Sequence, residues 1–429
     1  IHDPYTSLSK PSQLLAIIKD GTLVTQANHG DELELILRAT PFYIESGGQV
    51  TDTGNIISSP AGVWEVAIDN VSKPVAGLIV HHGKVLSGTV KTDDSVIASV
   101  DETKRRAIMR NHTGTHLLHA ALRQILGEKV HQAGSAVDPD RMRFDFNYPK
   151  AVSKKDLLEI EALVNRYIAD EYPVIKQSKT LEQARQDGAI ALFGEKYGNE
   201  VRTVEITDQR GRVSYELCGG THVDNTAEIG SFFIISESSI AAGMRRIEAV
   251  TGLGAYQYAR QRLDLQNELS AHLQSSPAET LAKVVSMEEK QKAIQTELEQ
   301  LQLRLAKSSF ATQLDNIQEI SGIAVLVANI PNVSTDALRE LADEFRQKHE
   351  SGVVVLGTVT NEKPAFIAAL TPDLIKRGLK AGDLIKRVAA VVGGGGGGRP
   401  DMAQAGGKDP SKLAEALDQV APYVKENLK

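Results

Sequence analysis

Two short strings hold the side chains best suited to binding a metal ion. His112 and His116 stand four residues apart in HTGTH, and Cys218 and His222 stand four apart in CGGTH. On a helix a four-residue step puts both side chains on one face, so His112 and His116 can point at one ion. Cys218 is the only cysteine of the chain. Three imidazoles and a thiolate form an N₃S set that suits Zn²⁺. The competing reading is a group of hydrogen-bonded core histidines beside a buried thiol. No Glu follows the first His, so the general base of an H-E-x-x-H protease is missing. Gly219 and Gly220 make CGGTH a tight loop rather than a helix interior. If all four side chains bind, the zinc is closed and positional; if one is loose, the open position can take water or a substrate group. His119, one turn beyond His116, reads as a core or helix-surface residue.

A second candidate is GGGGGGRPDMAQAGG, residues 393–407. Consecutive glycines let the backbone approach an anion closely, and Arg399 supplies charge, so Gly396, Gly397, Gly398 and Arg399 form a candidate anion-binding site. No Gly-Lys-Ser/Thr follows, and no strand–G-x-G-x-x-G–helix order is present, so neither a Walker loop nor a dinucleotide fingerprint is read here. A low-complexity linker is the alternative. A weaker candidate is FYIESGGQVTDTG, where Gly47 and Gly48 lie beside Glu45, Gln49 and Asp52, close to the hydroxyl of Thr40. It reads equally as a polar pocket or a hairpin turn. HQAGS and RMRFDF are ambiguous in the same way. Lys104-Arg105-Arg106 and Arg245-Arg246 read more readily as solvated faces than as RNA contacts.

The elements that must position these residues differ along the chain. Residues 1–100 contain short apolar-alternating runs separated by Gly, Pro, Asn and Asp turns, the rhythm of a small antiparallel barrel. TKRRAIMRNHTGTHLLHAALRQIL then carries apolar residues at helical spacing. Residues 101–253 mix helices and strands. SKKDLLEIEALVNRYIADE begins with Ser153 as N-cap and places Leu157, Ile160, Val164 and Ile168 on one stripe, and SFFIISESSI and MRRIEAVTG read as strands. Residues 254–312 are rich in Gln, Glu, Leu, Lys and Ala, and Pro277 divides them into two helices. In the second helix Met287, Gln291, Ile294, Leu298, Leu301 and Leu305 form a seam for a partner helix, in an antiparallel hairpin or in an intermolecular coiled coil. Residues 313–429 alternate strand and helix as a separate α/β module, with LIKRGLKAGDLIKRVAAVV as one helix. The fold class is multi-domain α+β.

Composition bounds the function. The 429 residues carry 48 Lys+Arg and 55 Asp+Glu, a net charge of −7, which disfavours blanket binding of nucleic acid and leaves room for local basic patches. No apolar run approaches the ~20 residues that cross a bilayer. A single cysteine excludes an internal disulfide and suits a reducing, cytoplasmic compartment. The start lacks the pattern of a signal peptide. It also lacks an initiator Met, and the chain is expected to be part of something longer.

Taken together, the strings resemble the C-terminal half of bacterial-type alanyl-tRNA synthetases. TPFYIESGGQ is similar to that family's glycine motif, NHTGTHLLHAAL and ELCGGTHV to its zinc-bearing editing signature, and GGGGGGRPDMAQAGG to its C-terminal RNA-binding module. The match follows the family's order over essentially the whole chain. It implies a barrel subdomain, an editing domain that hydrolyses mischarged Ser-tRNA(Ala) and Gly-tRNA(Ala), a helical segment that forms a homodimer, and a globular DHHA1-like tRNA binder. It also implies His112, His116, Cys218 and His222 as zinc ligands, Thr40 as the serine-sensing threonine, and Thr115 and Gln132 as polar residues of the editing site. The class II core and its ATP motifs are not read here, so the chain is not expected to activate alanine. Gly395 stands where relatives often carry Lys in the glycine run. A free-standing editing factor would share these motifs. Threonyl-tRNA synthetase editing domains share the His and Cys signature but should lack the glycine module. A phosphodiesterase is disfavoured because no Asp-His-His string occurs. A tRNA-binding dimerisation scaffold is the non-enzymatic alternative.

Overall fold

The computed structural model describes residues 1–60, 62–191, 197–208 and 211–428. The chain folds as two compact units, Ile1–Glu268 and Leu269–Lys429.

The first unit opens with a closed antiparallel barrel of β1 (Ser9–Lys19), β2 (Glu32–Leu37), β3 (Gly54–Ser58), β4 (Glu65–Val75), β5 (Leu78–Ser87) and β6 (Ser95–Val100). Strand β1 closes it. Its first half pairs with β6, Ser9 opposite Ser99 to Gln13 opposite Ser95, and its second half pairs with β2 from Leu14 opposite Leu37 to Ile18 opposite Glu34, with a register shift between Leu14 and Ala16. Alternation sets the interior: in SVIASV of β6, Val96, Ala98 and Val100 are buried, and they join Leu14, Ile17, Leu35, Ile56 and Trp64 in one core. The sequence signals left β1 unassigned, because Pro11 and the unbroken run LLAII hide its period of two.

Helix α1 (Glu102–Leu126) follows, capped by the Asp101 side chain accepting from Lys104 N. Its centre, Asn111 to Leu118, is buried on every side. Packed around it are the sheet β7 (Gln132–Val137), β8 (Met142–Asn147), β12 (Phe232–Ala241) and β13 (Met244–Thr251), ordered β7-β8-β13-β12, and helix α2 (Lys154–Ala169). A second sheet contains β9 (Val174–Thr180), β10 (Glu200–Asp208) and β11 (Gly211–Leu217). Ser153 caps α2, and Ile160, Val164 and Ile168 are its buried residues. Arg105 fastens α1 to the barrel. Its guanidinium binds both Asp52 carboxylate oxygens and donates to the carbonyls of Pro4 (2.7 Å) and Pro41 (3.1 Å), with Arg105 and Asp52 both buried. The Lys104-Arg105-Arg106 cluster is therefore in part a buried joint. Arg245 and Arg246 likewise pair within the chain, with Glu237 and Asp145.

Helix α3 (Gly252–His272) spans the division between the units, and the second unit proper begins with α4 (Thr280–Gln313). The end of α4 is buried through Ala306 and Phe310, and its first residue, Thr280, hydrogen-bonds the Ser270 hydroxyl at 2.7 Å. The seam residues are exposed, Ile294 by 65%, Leu298 by 47%, Leu301 by 48% and Leu305 by 71%. Beyond α4 lie β14 (Gln318–Ile320), β15 (Ile323–Asn329), α5 (Thr335–Lys348), β16 (Gly352–Thr360), β17 (Lys363–Leu370), α6 (Ala381–Val391), β18 (Gly395–Gly398) and β19 (Met402–Gly406). They build a six-stranded sheet ordered β14-β15-β16-β17-β19-β18, in which β15 and β16 run parallel through the α5 crossover. Successive residues of β16 alternate between two cores: Val353 and Val355 pack with α6, Val354 and Leu356 with α5 and the end of α4. The single helix expected over 374–392 is broken. Residues Pro372–Lys376 form a short turn of helix, and Gly378 at φ +95° takes a left-handed conformation before α6 starts. No described helix is long and apolar enough to cross a membrane.

Candidate functional site

Helix α1 and the loop after β11 meet at the four candidate metal-binding side chains. The ligand atoms of His112, His116, Cys218 and His222 all lie within 4.8 Å of one another. Cys218 Sγ is 3.4 Å from His112 Nε2 and 3.2 Å from His222 Nε2. The CGGTH loop is held from outside. Arg202 donates to the carbonyls of Gly220 (2.7 Å) and Cys218 (3.3 Å), its guanidinium stacks 4.3 Å from the ring centre of Tyr5, and the Tyr5 hydroxyl donates to Gly219 O at 2.7 Å. Gly220 is required by close approach: a Cβ there would sit 2.0 Å from His112 Cε1 and 2.3 Å from its Nδ1.

Two of the imidazoles, His112 and His222, have a hydrogen-bond partner on the nitrogen turned away from the cluster, and His116 has a carboxylate nearby. His112 Nδ1 lies 2.7 Å from Gln49 Oε1. The hydroxyl of Thr113 spends its hydrogen on Met109 O, so at 3.1 Å it accepts from His222 Nδ1. His116 Nδ1 faces the Glu216 carboxylate at 3.4 Å, and His119 Nδ1 donates to the same carboxylate at 3.0 Å. His112 and His222 therefore hold their Nε2 lone pairs for the cluster. Burial lowers His112 to about 3, helped by the proximity of His116, and it also lowers His116 and His222, so all three are neutral at pH 7. Burial pushes Glu216 the other way. The imidazoles of His116 and His119 and the Ser214 hydroxyl outweigh it and keep the group a carboxylate. Neutral, convergent imidazoles beside one sulfur are the donor set that Zn²⁺ takes, and these residues fit it.

Beside the cluster is a cleft of about 50 Å³. Tyr43, Ser46 and Gly47 of the barrel loop form one wall, and Thr115, Gln132 and Glu216 belong to the others. Thr115 donates its hydroxyl hydrogen to Asn111 O at 2.9 Å, which leaves its oxygen as an acceptor. Gln132 donates to Ser135 Oγ at 3.1 Å. HQAGS and RMRFDF, ambiguous in the sequence, are the paired strands β7 and β8. Thr40 is not brought to this cleft. It is 2% exposed inside the first unit, and its hydroxyl lies 2.8 Å from His81 Nε2. His81 Nδ1 faces Leu35 O and must donate there, so its Nε2 accepts and Thr40 is the donor; Thr40 also accepts from Phe42 N.

In the second unit the glycine run is an edge strand rather than a loose linker. Cβ atoms at Gly396 and Gly398 would strike Ala405 (2.3 Å) and Ala403 (2.6 Å), while Gly395 and Gly397 face open space. Arg399 is 78% exposed at its end, 3.5 Å from Asp401.

The residues that sequence reasoning missed are those that hold the ligands. Thr113 and Glu216 sit two residues from a ligand or nearer and carried no pattern of their own. Arg202 and Tyr5 were silent. Gln49 was marked only as a possible pocket residue, and its placement directly after two glycines was the available signal.

Residues 3–104, the barrel, match the family model of tRNA synthetases class II (A). Residues 201–248 match the threonyl and alanyl tRNA synthetase second additional domain, and residues 322–426 match the DHHA1 domain. An alanine–tRNA ligase of Pelotomaculum thermopropionicum is 45% identical over 425 residues, covering 99% of this chain and 48% of that protein. One of Geobacillus kaustophilus is 46% identical over 421 residues, covering 98% and 47%. The chain thus spans about half the length of these curated relatives. Among solved structures, the C-Ala domain from Aquifex aeolicus alanyl-tRNA synthetase is 29% identical, with a TM-score of 0.24, over 25% of this chain and 97% of that one.

Proposed function

We propose, from the premise that the chain belongs to the alanine–tRNA ligase family and matches the C-terminal half of its members, that it binds tRNA(Ala) and hydrolyses Ser-tRNA(Ala) and Gly-tRNA(Ala). The observation that carries this reading is the convergence of His112, His116, Cys218 and His222 beside a polar cleft. In this reading Zn²⁺, when bound, supplies a Lewis acid for the amine, carbonyl or water of the reacting ester. The chain's own residues do the positioning. The Thr115 oxygen, with its hydrogen spent on Asn111, can only accept, so it suits the α-ammonium of the aminoacyl group. Gln132 lies across from it, on the strand that also supports the barrel loop. Thr40 acts from one layer behind. Its hydrogen bonds to His81 and Phe42 fix the turn that delivers Tyr43 to the cleft, and its remaining lone pair is an acceptor for a serine hydroxyl only if that turn opens.

The functional division follows the sequence: barrel at 1–100, editing domain at 101–253, helical segment at 254–312 and tRNA-binding module at 313–429. In that module the outward face of the glycine strand and Arg399 are the RNA-binding elements. The exposed seam of α4 forms a homodimer with a second copy. Deacylation of Ser-, Gly- and Ala-tRNA(Ala) by this chain, with and without chelator, tests the proposal. Hydrolysis of the first two, with Ala-tRNA(Ala) spared and activity lost to chelator, is the expected result. A chain that binds tRNA but deacylates none of them is a scaffold.

A further inference from the structure

We propose that Gln49 is a positioning residue for the metal centre, through which the barrel sets the orientation of a ligand that it does not itself supply. The inference rests on the metal reading of the His/Cys cluster and adds a residue to it. Gly47 and Gly48 take φ of +58° and +83°, and a Cβ on Gly48 would lie 2.4 Å from Ser135 O. Only glycine lets this turn settle onto β7, where Val137 N donates to Gly48 O at 2.8 Å and Val50 N donates to Val137 O at 3.1 Å. The turn drives the next side chain, Gln49, fully into the interior, at 0% exposure.

There the amide has no freedom. The backbone N–H of Thr221 donates to Gln49 Oε1 at 2.9 Å, and Gln49 Nε2 donates to Thr221 Oγ1 at 2.9 Å. A backbone N–H requires an acceptor, so the oxygen end must face Thr221 N and cannot exchange places with the NH₂. The same oxygen is 2.7 Å from His112 Nδ1, which must therefore carry the proton. That leaves the lone pair on Nε2, the nitrogen 3.4 Å from Cys218 Sγ. One amide from the barrel thus fixes the tautomer and ring plane of a ligand on α1 and, through Thr221, the loop that carries Cys218 and His222. Gly220 completes the fit, since a Cβ there would lie 2.9 Å from the same Oε1.

The test uses the full chain stripped of metal and refilled with Co²⁺, read by its visible absorption bands and by competition with a chelator. Gln49→Leu should weaken the metal by roughly 10- to 100-fold and change the band pattern. Gln49→Glu should return affinity to within a few-fold of wild type, because a carboxylate accepts from both His112 Nδ1 and Thr221 N. If Gln49→Leu does not fold, Thr221→Val, which frees only the NH₂ end, should shift the spectrum in the same direction by less. Wild-type affinity and bands in a folded Gln49→Leu overturn the positioning role. So does a Gln49→Glu variant as weak as Gln49→Leu. Wild-type protein that takes up no Co²⁺ overturns the metal reading itself, and Gln49 with it.

Discussion

Gly220→Ala is the smallest change that should break the metal centre. The added methyl would meet His112 at 2.0 and 2.3 Å, well inside any real carbon contact, and His112 is buried and held at Nδ1 by Gln49. Either the ring leaves the cluster or the loop carrying Cys218 and His222 does. A structural zinc site is worth about 10–16 kcal/mol, so one of four ligands accounts for about 2.5–4 kcal/mol. At about 1.4 kcal/mol per decade, the loss is roughly 60- to 700-fold in affinity. The neighbouring glycine provides the control, because nothing lies within 4 Å of a Cβ at Gly219. Competition against a zinc-binding dye at pH 7 should show the loss in Gly220→Ala and near wild-type affinity in Gly219→Ala. Equal affinities for Gly220→Ala and wild type would refute the close-contact argument, as would equal losses in the two glycine variants.

Other outcomes follow from the same coordinates. Cys218→Ala should lower zinc content from about one per chain to near zero in elemental analysis; retention of a full equivalent would exclude the cluster. Leu298→Lys with Leu301→Glu should turn a dimer into a monomer in sedimentation, and a wild type that already sediments as a monomer would remove the exposed seam as an interface. Arg399→Ala should flatten the salt dependence of tRNA binding by about one unit of slope, whereas an unchanged slope would remove Arg399 from the RNA contacts. Burial holds His81 at about 4 in the folded barrel, so the unfolded chain takes up a proton first. Its contribution, about 3 kcal/mol, is present above pH 6.5 and is lost as pH falls toward 4. The urea midpoint of His81→Gln should therefore fall less steeply than wild type over that interval.

Local signals were readable where one element carries its own reason. Ser153 announced its helix, alternation announced β6, and the two four-residue steps announced side chains that the fold brings together. Contacts between distant segments were hidden. Gln49 is 63 residues from His112 and Glu216 is 97 from His119, and no local pattern relates either pair. The break at Gly378 was obscured because the flanking segments share one apolar stripe. The glycine run misleads in a different way: six glycines look like slack, yet Gly396 and Gly398 are glycines because the adjacent strand touches their α-carbons. Apolar spacing in α4 was legible, but such spacing does not say whether the partner helix belongs to the same molecule.

A metal centre built on the His/Cys cluster would also have a timetable. Its two halves are 106 residues apart, measured from His112 to Cys218. At ~5–20 residues per second, a ribosome needs roughly 5 to 20 s to make the second half after the first has appeared. Throughout that interval the middle of α1, buried on every side in the finished protein, lacks β11 and the CGGTH loop. The barrel strands are already synthesised by then, but the GGQ turn gains its partners only later, Val137 of β7 first and Thr221 of the CGGTH loop last. A full donor set therefore exists only once Cys218 and His222 have been added, and a nascent chain halted before residue 218 displays a pair of histidines without the thiolate that would hold an ion between them.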